Sequence, residues 1–268
     1  MTHKLGQVFL IDQNIVRKIL LEADINDTDY ILEIGCGDGV LSKEIAPLAK
    51  QLNIVEIDEK CIVSTKKVCD KYQNITYIHD DILNVVVTNN PKSWKVIANI
   101  PYYLSAKIIQ HFVTHRASIN RMIVMVQKEF AEKLVAKVGG KEHTSLSLYT
   151  QFYFDINHLF NVSRQCFKPI PKVDSAVIEL LPKKTPMFDV DEDVFFSMIH
   201  SAFWGRRKQL LSALKKSPYI TVSDQIDGCQ FFKDHPKIRG ELLTLTDFYE
   251  LYQQLMVTKC ISVKKREL

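Results

Sequence analysis

Asn99-Ile100-Pro101-Tyr102 gathers two hydrogen-bond acceptors and an aromatic plate within one short stretch. Asn99 brings a side-chain carbonyl. Pro101 has no N–H and pushes Ile100 out of the helical region, which leaves the Ile100 carbonyl free. Tyr102 adds a flat face with a polar tip. Such a group suits a flat substrate that carries an exocyclic NH₂, and adenine is the obvious one. Adenine's amine is a poor nucleophile because its lone pair is delocalised into the ring. Two acceptors pulling on its two hydrogens favour a pyramidal nitrogen with that lone pair released. A positioned electrophile is then attacked without a strong base. The same residues also fit an Asn-capped helix with Pro in its first turn and a core Tyr, so context must decide.

The context is a strand and a helix. Trp94-Lys95-Val96-Ile97-Ala98 reads as a short buried strand, and Leu104 to Ile109 as the first turns of a helix. The acceptor group therefore sits at the carboxyl end of a strand, where open α/β sheets place their ligands. Upstream, Tyr30 to Ile34 predicts another buried strand. It runs into Gly35-Cys36-Gly37-Asp38-Gly39 and a helix from Val40 to Ala49. Strand, glycine turn and helix form the nucleotide-binding opening of a doubly wound sheet. The spacing is G-x-G-x-G, not the dinucleotide G-x-G-x-x-G, and no Gly-Lys-Ser/Thr follows, which argues against a P-loop. Glu56 ends the next strand, Leu52 to Asp58, 21 positions after Gly35, where an acid can accept both ribose hydroxyls. A third strand, Ile75 to Ile78, leads to Asp80-Asp81-Ile82. A carboxylate followed by an apolar residue suits an adenine ring, and the choice falls on Asp81 over Asp80, with Ile82 covering the ring.

Downstream, a helix extends to about His115, followed by a strand Met122 to Val126 and an amphipathic helix opened by Gln127-Lys128-Glu129. Lys128, Lys133, Lys137 and Lys141 form either a phosphate-facing side or an ordinary solvated face. Leu146 to Phe160 reads as aromatic-rich strand material. Phe167 opens a proline-stiffened loop that runs through Val173 into a last strand ending near Leu181. Its ring is expected to cover the second face of a base already stacked on Tyr102. Lys183 to Pro186 reads as a linker, and helical patterns follow over Val194–Phe203, Arg206–Lys215 and Thr246–Met256. The expected organisation is an α/β domain over 1–184 and a small all-α domain over 185–268. Arg206, Arg207, Lys208, Lys215 and Lys216, with Trp204 beside them and no carboxylate between Phe203 and Pro218, form a candidate RNA-backbone contact.

Composition is that of an ordinary globular chain of 268 residues, 46% hydrophobic and 25% charged, with a formal net charge of +4. Six cysteines contain no C-x-x-C and no metal-ligand spacing, so free thiols and no metal site are expected. The first residues lack an apolar signal core and no apolar run reaches membrane-spanning length, so a cytoplasmic protein is expected.

Taken together, these motifs resemble the KsgA family, the small-subunit ribosomal RNA adenine dimethyltransferases. The resemblance is carried by Leu5-Gly6-Gln7-Val8-Phe9-Leu10, Glu33-Ile34-Gly35-Cys36-Gly37, Val55-Glu56-Ile57-Asp58 and Asn99-Ile100-Pro101-Tyr102. Later stretches add Gln127-Lys128-Glu129, Phe167 to Val177 and Phe203-Trp204-Gly205-Arg206-Arg207-Lys208. It implies a Rossmann-like, seven-stranded class I S-adenosylmethionine methyltransferase domain and a helical C-terminal domain that helps bind RNA. It also implies the substrate, two neighbouring adenosines in a hairpin near the 3′ end of small-subunit rRNA, within a pre-30S particle and met by a monomer. The cofactor positions become Gln7, Val8, Leu10, Gly35, Gly37, Glu56, Ile57, Asp81, Ile82 and Asn99. Family members usually carry Asn or His where this chain has Val8, so only a backbone contact is expected there. Cys36 stands where Pro is common. Two rivals share the fold. One is the erythromycin-resistance type of methyltransferase, directed at large-subunit rRNA. The other is a non-catalytic ribosome-assembly or transcription factor, against which Glu56, Asp81 and Asn99 argue.

Overall fold

The computed structural model describes residues 8–88 and 93–264. The chain forms two compact units, Met1–Glu132 with Tyr153–Lys183, and Lys133–Phe152 with Lys184–Leu268. The first begins with a two-residue strand β1 (Phe9–Leu10) and helix α1 (Gln13–Ala23), whose N-terminus is capped by the Asp12 side chain. Then follow β2 (Tyr30–Ile34), α2 (Ser42–Ile45), β3 (Gln51–Glu56), α3 (Glu59–Val68), β4 (Ile75–His79) and β5 (Trp94–Asn99). After them come α4 (Ser105–Thr114), β6 (Ile119–Gln127) and α5 (Lys128–Leu134). Beyond α6 (Ser145–Tyr153) the chain returns through β7 (Phe154–Val162), β8 (Phe167–Lys168) and β9 (Ser175–Pro182).

One seven-stranded sheet organises this unit, in the order β4-β3-β2-β5-β6-β9-β7. β4, β3, β2, β5 and β6 run parallel, and β9 pairs antiparallel to both β6 and β7. The parallel strands are near-continuous apolar runs because helices cover both faces. Ile31, Ile54, Ile97 and Val124, on four neighbouring strands, are at most 1% exposed. From β2 the chain moves outward to β3 and β4, then crosses back to β5 on the other side. The strand order therefore reverses between β2 and β5, and a crevice opens above their carboxyl ends.

Lys95 sits inside this apolar sheet. It is 6% exposed, and its Nζ donates at 2.7 Å both to Asp29 Oδ2 and to the Asp24 carbonyl. Lys95→Ala would leave Asp29 half-enclosed without its cation, and removing one partner of a buried pair costs about 3–5 kcal/mol. The expected result is a drop of that size in unfolding free energy, read from urea titration.

Several elements differ from the sequence reading. The helix expected from Val40 to Ala49 shrinks to Ser42–Ile45, because Pro47 has no N–H to continue the ladder. The segment read as strand from Leu146 begins as the helix α6. Thr144 and Ser147 cap it by donating their backbone N–H groups to each other's hydroxyls, and Leu148 and Phe152, one turn apart, are both 1% exposed. Residues 133–152 consequently belong to the second unit, which a single boundary at 184 assigns to the first.

In that second unit α7 (Glu192–Trp204), α8 (Leu210–Lys215), α9 (Gln230–Asp234) and α10 (Leu245–Val257) are joined by an antiparallel ribbon of β10 (Ile220–Val222) and β11 (Ile261–Val263). The ribbon is an addition to the all-helical expectation. The helix expected from Arg206 starts only at Leu210, since a tight turn at Gly205 precedes it; a Cβ on Gly205 would lie 2.4 Å from that of Ala213.

Candidate active site

Above the ends of β2, β3 and β5 lies a cleft of about 390 Å³, within the range of small-molecule sites. Its floor is the glycine turn. Gly35 and Gly37 adopt φ of +74° and +53°, a region that L side chains avoid. A Cβ on Gly37 would lie 2.8 Å from the ring of Phe9, which packs over the turn.

Glu56, at the end of β3, is 6% exposed. Its Oε1 accepts the Asp58 N–H at 2.9 Å and its Oε2 the Gly37 N–H at 3.4 Å. The acid thus holds the turn it faces. Asp80 and Asp81 both line the cleft. Asp80 Oδ1 is committed to the loop, accepting the Asp81 N–H at 2.7 Å and Asn84 Nδ2 at 3.0 Å. Asp81 Oδ1 accepts the Leu83 N–H at 3.0 Å, and among the described residues nothing donates to its second oxygen. Ile57, exposed, and Ile82, buried, complete this end, and Val8 and Leu10 line the cleft from β1 and the residue before it. Gln7 lies outside the described residues.

At the other end stands Asn99. Its Nδ2 donates to the Val8 carbonyl at 3.4 Å, which turns Oδ1 outward as an acceptor. Val8 thus contributes its backbone, and the absence of a polar side chain there does not disturb this contact. The Ile100 N–H is spent on the Met125 carbonyl at 3.1 Å, while no described residue donates to the Ile100 carbonyl. Pro101 breaks the strand, and a single 3₁₀ turn, Tyr102–Leu104, leads into α4. The Tyr102 hydroxyl is tethered to Ser175 Oγ at 2.7 Å, and burial pushes its phenol upward. Ser175, fully buried at the start of β9, had no assigned role in the sequence. Its signal was its place in the Phe167 to Val177 stretch that carries the family resemblance, as a polar residue opening the final strand.

Phe167 is a correction. It does not line the cleft; it lies in β8, opposite Leu10 of β1, and is 1% exposed. The antiparallel pairing of these two short strands turns its ring into the core, so it offers no face to a base.

The basic run also changes on folding. Arg206 is bound to Glu241 Oε2 and donates to the Lys141 carbonyl at 2.8 Å, and Lys215 is paired with Asp227 at 2.7 Å. Carboxylates distant in sequence supply the partners that the local run lacks. Arg207, Lys208 and Lys216 stay exposed, with the Lys208 ammonium 4.8 Å from the Trp204 ring centre.

Glu33 is the buried group that sequence reasoning left without a task. It is 0% exposed and lines the cleft; Oε2 accepts the Ser42 hydroxyl at 2.6 Å, and Oε1 has no hydrogen-bond partner among the described residues. Burial pushes its carboxyl up to about 8. The folded state therefore keeps a proton that the unfolded chain has lost above about pH 4.5, and stability falls as pH rises through that window. Glu33→Gln, which can retain the Ser42 contact, should unfold like the parent at pH 5. At pH 8, without added ligands, it should be more stable by on the order of 3 kcal/mol, read from urea titrations at both values.

The two ends of the cleft define the enzyme class. A buried carboxylate, Glu56, and the acceptor-bearing Asn99-Ile100-Pro101-Tyr102 loop stand at the ends of strands that flank the same glycine turn, an arrangement that would set a nucleoside-borne group beside an amine. S-adenosylmethionine-dependent methyltransferases are built in this way, and this chain is one of them. Residues 1–234 match the ribosomal RNA adenine dimethylase family. A ribosomal RNA small subunit methyltransferase A of Geobacillus sp. (strain WCH70) is 37% identical over 262 residues, which cover 94% of this chain and 90% of the relative. One from Staphylococcus haemolyticus (strain JCSC1435) is 34% identical over 275 residues, 93% of this chain and 88% of the relative. The crystal structure of a dimethyladenosine transferase from Plasmodium falciparum superposes with a TM-score of 0.79 at 26% identity, over 94% of this chain and 99% of that one. The chain belongs to the ribosomal RNA adenine dimethylase family.

Proposed function

We propose that this protein methylates the N6 amines of two adjacent adenosines in a hairpin near the 3′ end of small-subunit rRNA, giving dimethyladenosines. It acts as a cytoplasmic monomer on a pre-30S particle. The observation that carries this reading is the pair of free acceptors, Asn99 Oδ1 and the Ile100 carbonyl, beside a tethered aromatic ring. S-adenosylmethionine, when bound, supplies an electrophilic methyl group. Glu56, the Gly35–Gly37 turn and Asp81 are the residues that would hold it. The target adenine leaves its RNA stack and lies against Tyr102. Asn99 and Ile100 accept its two N–H groups and aim the nitrogen lone pair along the cleft. Catalysis is then largely positioning, and the displaced amine proton leaves to water. A methylated amine keeps a lone pair, so a second transfer uses the same acceptors less one hydrogen. Arg207, Lys208 and Lys216 are free to meet RNA phosphates, whereas Arg206 and Lys215 are engaged within the protein.

The relatives' names favour small-subunit over large-subunit rRNA. Mass spectrometry of rRNA from cells with and without the protein tests this. Dimethyladenosines should disappear from small-subunit rRNA alone, and loss from large-subunit rRNA instead would overturn the proposal.

A further inference from the structure

With Phe167 turned into the core, the aromatic surface presented at the cleft comes from elsewhere. Tyr103 is 66% exposed and lines the cleft. Among the described residues its side chain has neither a ring partner nor a hydrogen bond. It shares the 3₁₀ turn Tyr102–Leu104 with Tyr102. Successive side chains of a 3₁₀ turn diverge by about 120°, so the two rings cannot sandwich one base. Tyr102 is anchored through its hydroxyl to Ser175 and half-buried, whereas Tyr103 leaves most of its surface in water, an exposure of apolar ring that no contact among the described residues relieves.

We propose that Tyr103 is a second stacking platform, which takes the base next to the target adenosine and so sets which nucleotide of the RNA enters the cleft. This rests on the reading of RNA adenosine as substrate. A flat, amphipathic ring beside the point where a base leaves its stack can replace the neighbour that the flanking base has lost. Any base has a suitable π-face, so the contact fixes register without reading sequence.

The test uses the full chain, S-adenosylmethionine and small ribosomal subunits isolated from cells lacking the protein. Tyr103→Leu should raise the KM for subunits about tenfold, within the range that loss of one base–aromatic stack produces. Cofactor affinity should stay unchanged, and Tyr103→Phe and Tyr103→Trp should retain the parental KM. A leucine variant as good as the parent would overturn the proposal, because an apolar contact with a ribosomal protein does not require a flat ring. A phenylalanine variant as poor as leucine would also overturn it, by making the hydroxyl the active part. If the parent binds cofactor but methylates no subunits, the substrate assignment fails, and the platform with it.

Discussion

Asn99→Ala is expected to lower methyl transfer by at least about a hundredfold while leaving S-adenosylmethionine binding largely intact. Misplacing a reacting group by an ångström already costs about that factor, and this variant removes one of the two acceptors altogether. The structure adds a second consequence. Asn99 Nδ2 is bound to the Val8 carbonyl, so the substitution also frees the segment that crosses the cleft at β1. Asn99→Asp separates the two effects. It keeps an acceptor toward the amine but sets a carboxylate oxygen against the Val8 carbonyl, and an intermediate rate is expected. Single-turnover methylation with saturating cofactor is the measurement, and near-normal turnover by the alanine variant would contradict the assignment.

Glu56→Ala should act earlier, at cofactor binding. The carboxylate accepts the Gly37 and Asp58 N–H groups and stands where ribose hydroxyls are expected. Hydrogen bonds to a charged group are worth about 1.5–3 kcal/mol each, so losing even one toward the cofactor lowers affinity about tenfold or more. Isothermal titration should show this loss, and Glu56→Gln should lose less because one acceptor oxygen survives. Unchanged affinity in the alanine variant would remove Glu56 from the site. The two variants should therefore divide binding from transfer.

Much of this was legible in the chain before folding. Buried parallel strands announce themselves as apolar runs, and the glycine turn, Glu56 and Asn99 fall at the ends of such runs, so their convergence follows from the sheet. What local pattern could not supply was direction and long-range pairing. Phe167 stands on a proline-rich loop that suggests an exposed ring, yet its fate depends on pairing with Leu10, more than 150 residues away. Arg206 and Lys215 read as free cations because Glu241 and Asp227 arrive from beyond the run. Leu146 to Tyr153 misled for a different reason. Its aromatic and β-branched content suits a strand, and only the Thr144–Ser147 cap and one-turn spacing of Leu148 and Phe152 reveal a helix. Glu33 was visible as an acid within a strand, but its solitary oxygen is a property of the packed site.

The excursion between α5 and β7 bears on how the chain is made. Residues 133–152 leave the ribosomal tunnel long before 184–268, and Phe152 packs edge-on against Phe196, at 5.2 Å between ring centres. During synthesis this stretch must wait, with its apolar side uncovered, until its later half has been translated. A chain halted near 184 would retain that orphaned helix, so a shortened version ending there carries a sticky remnant where a clean catalytic fragment was intended.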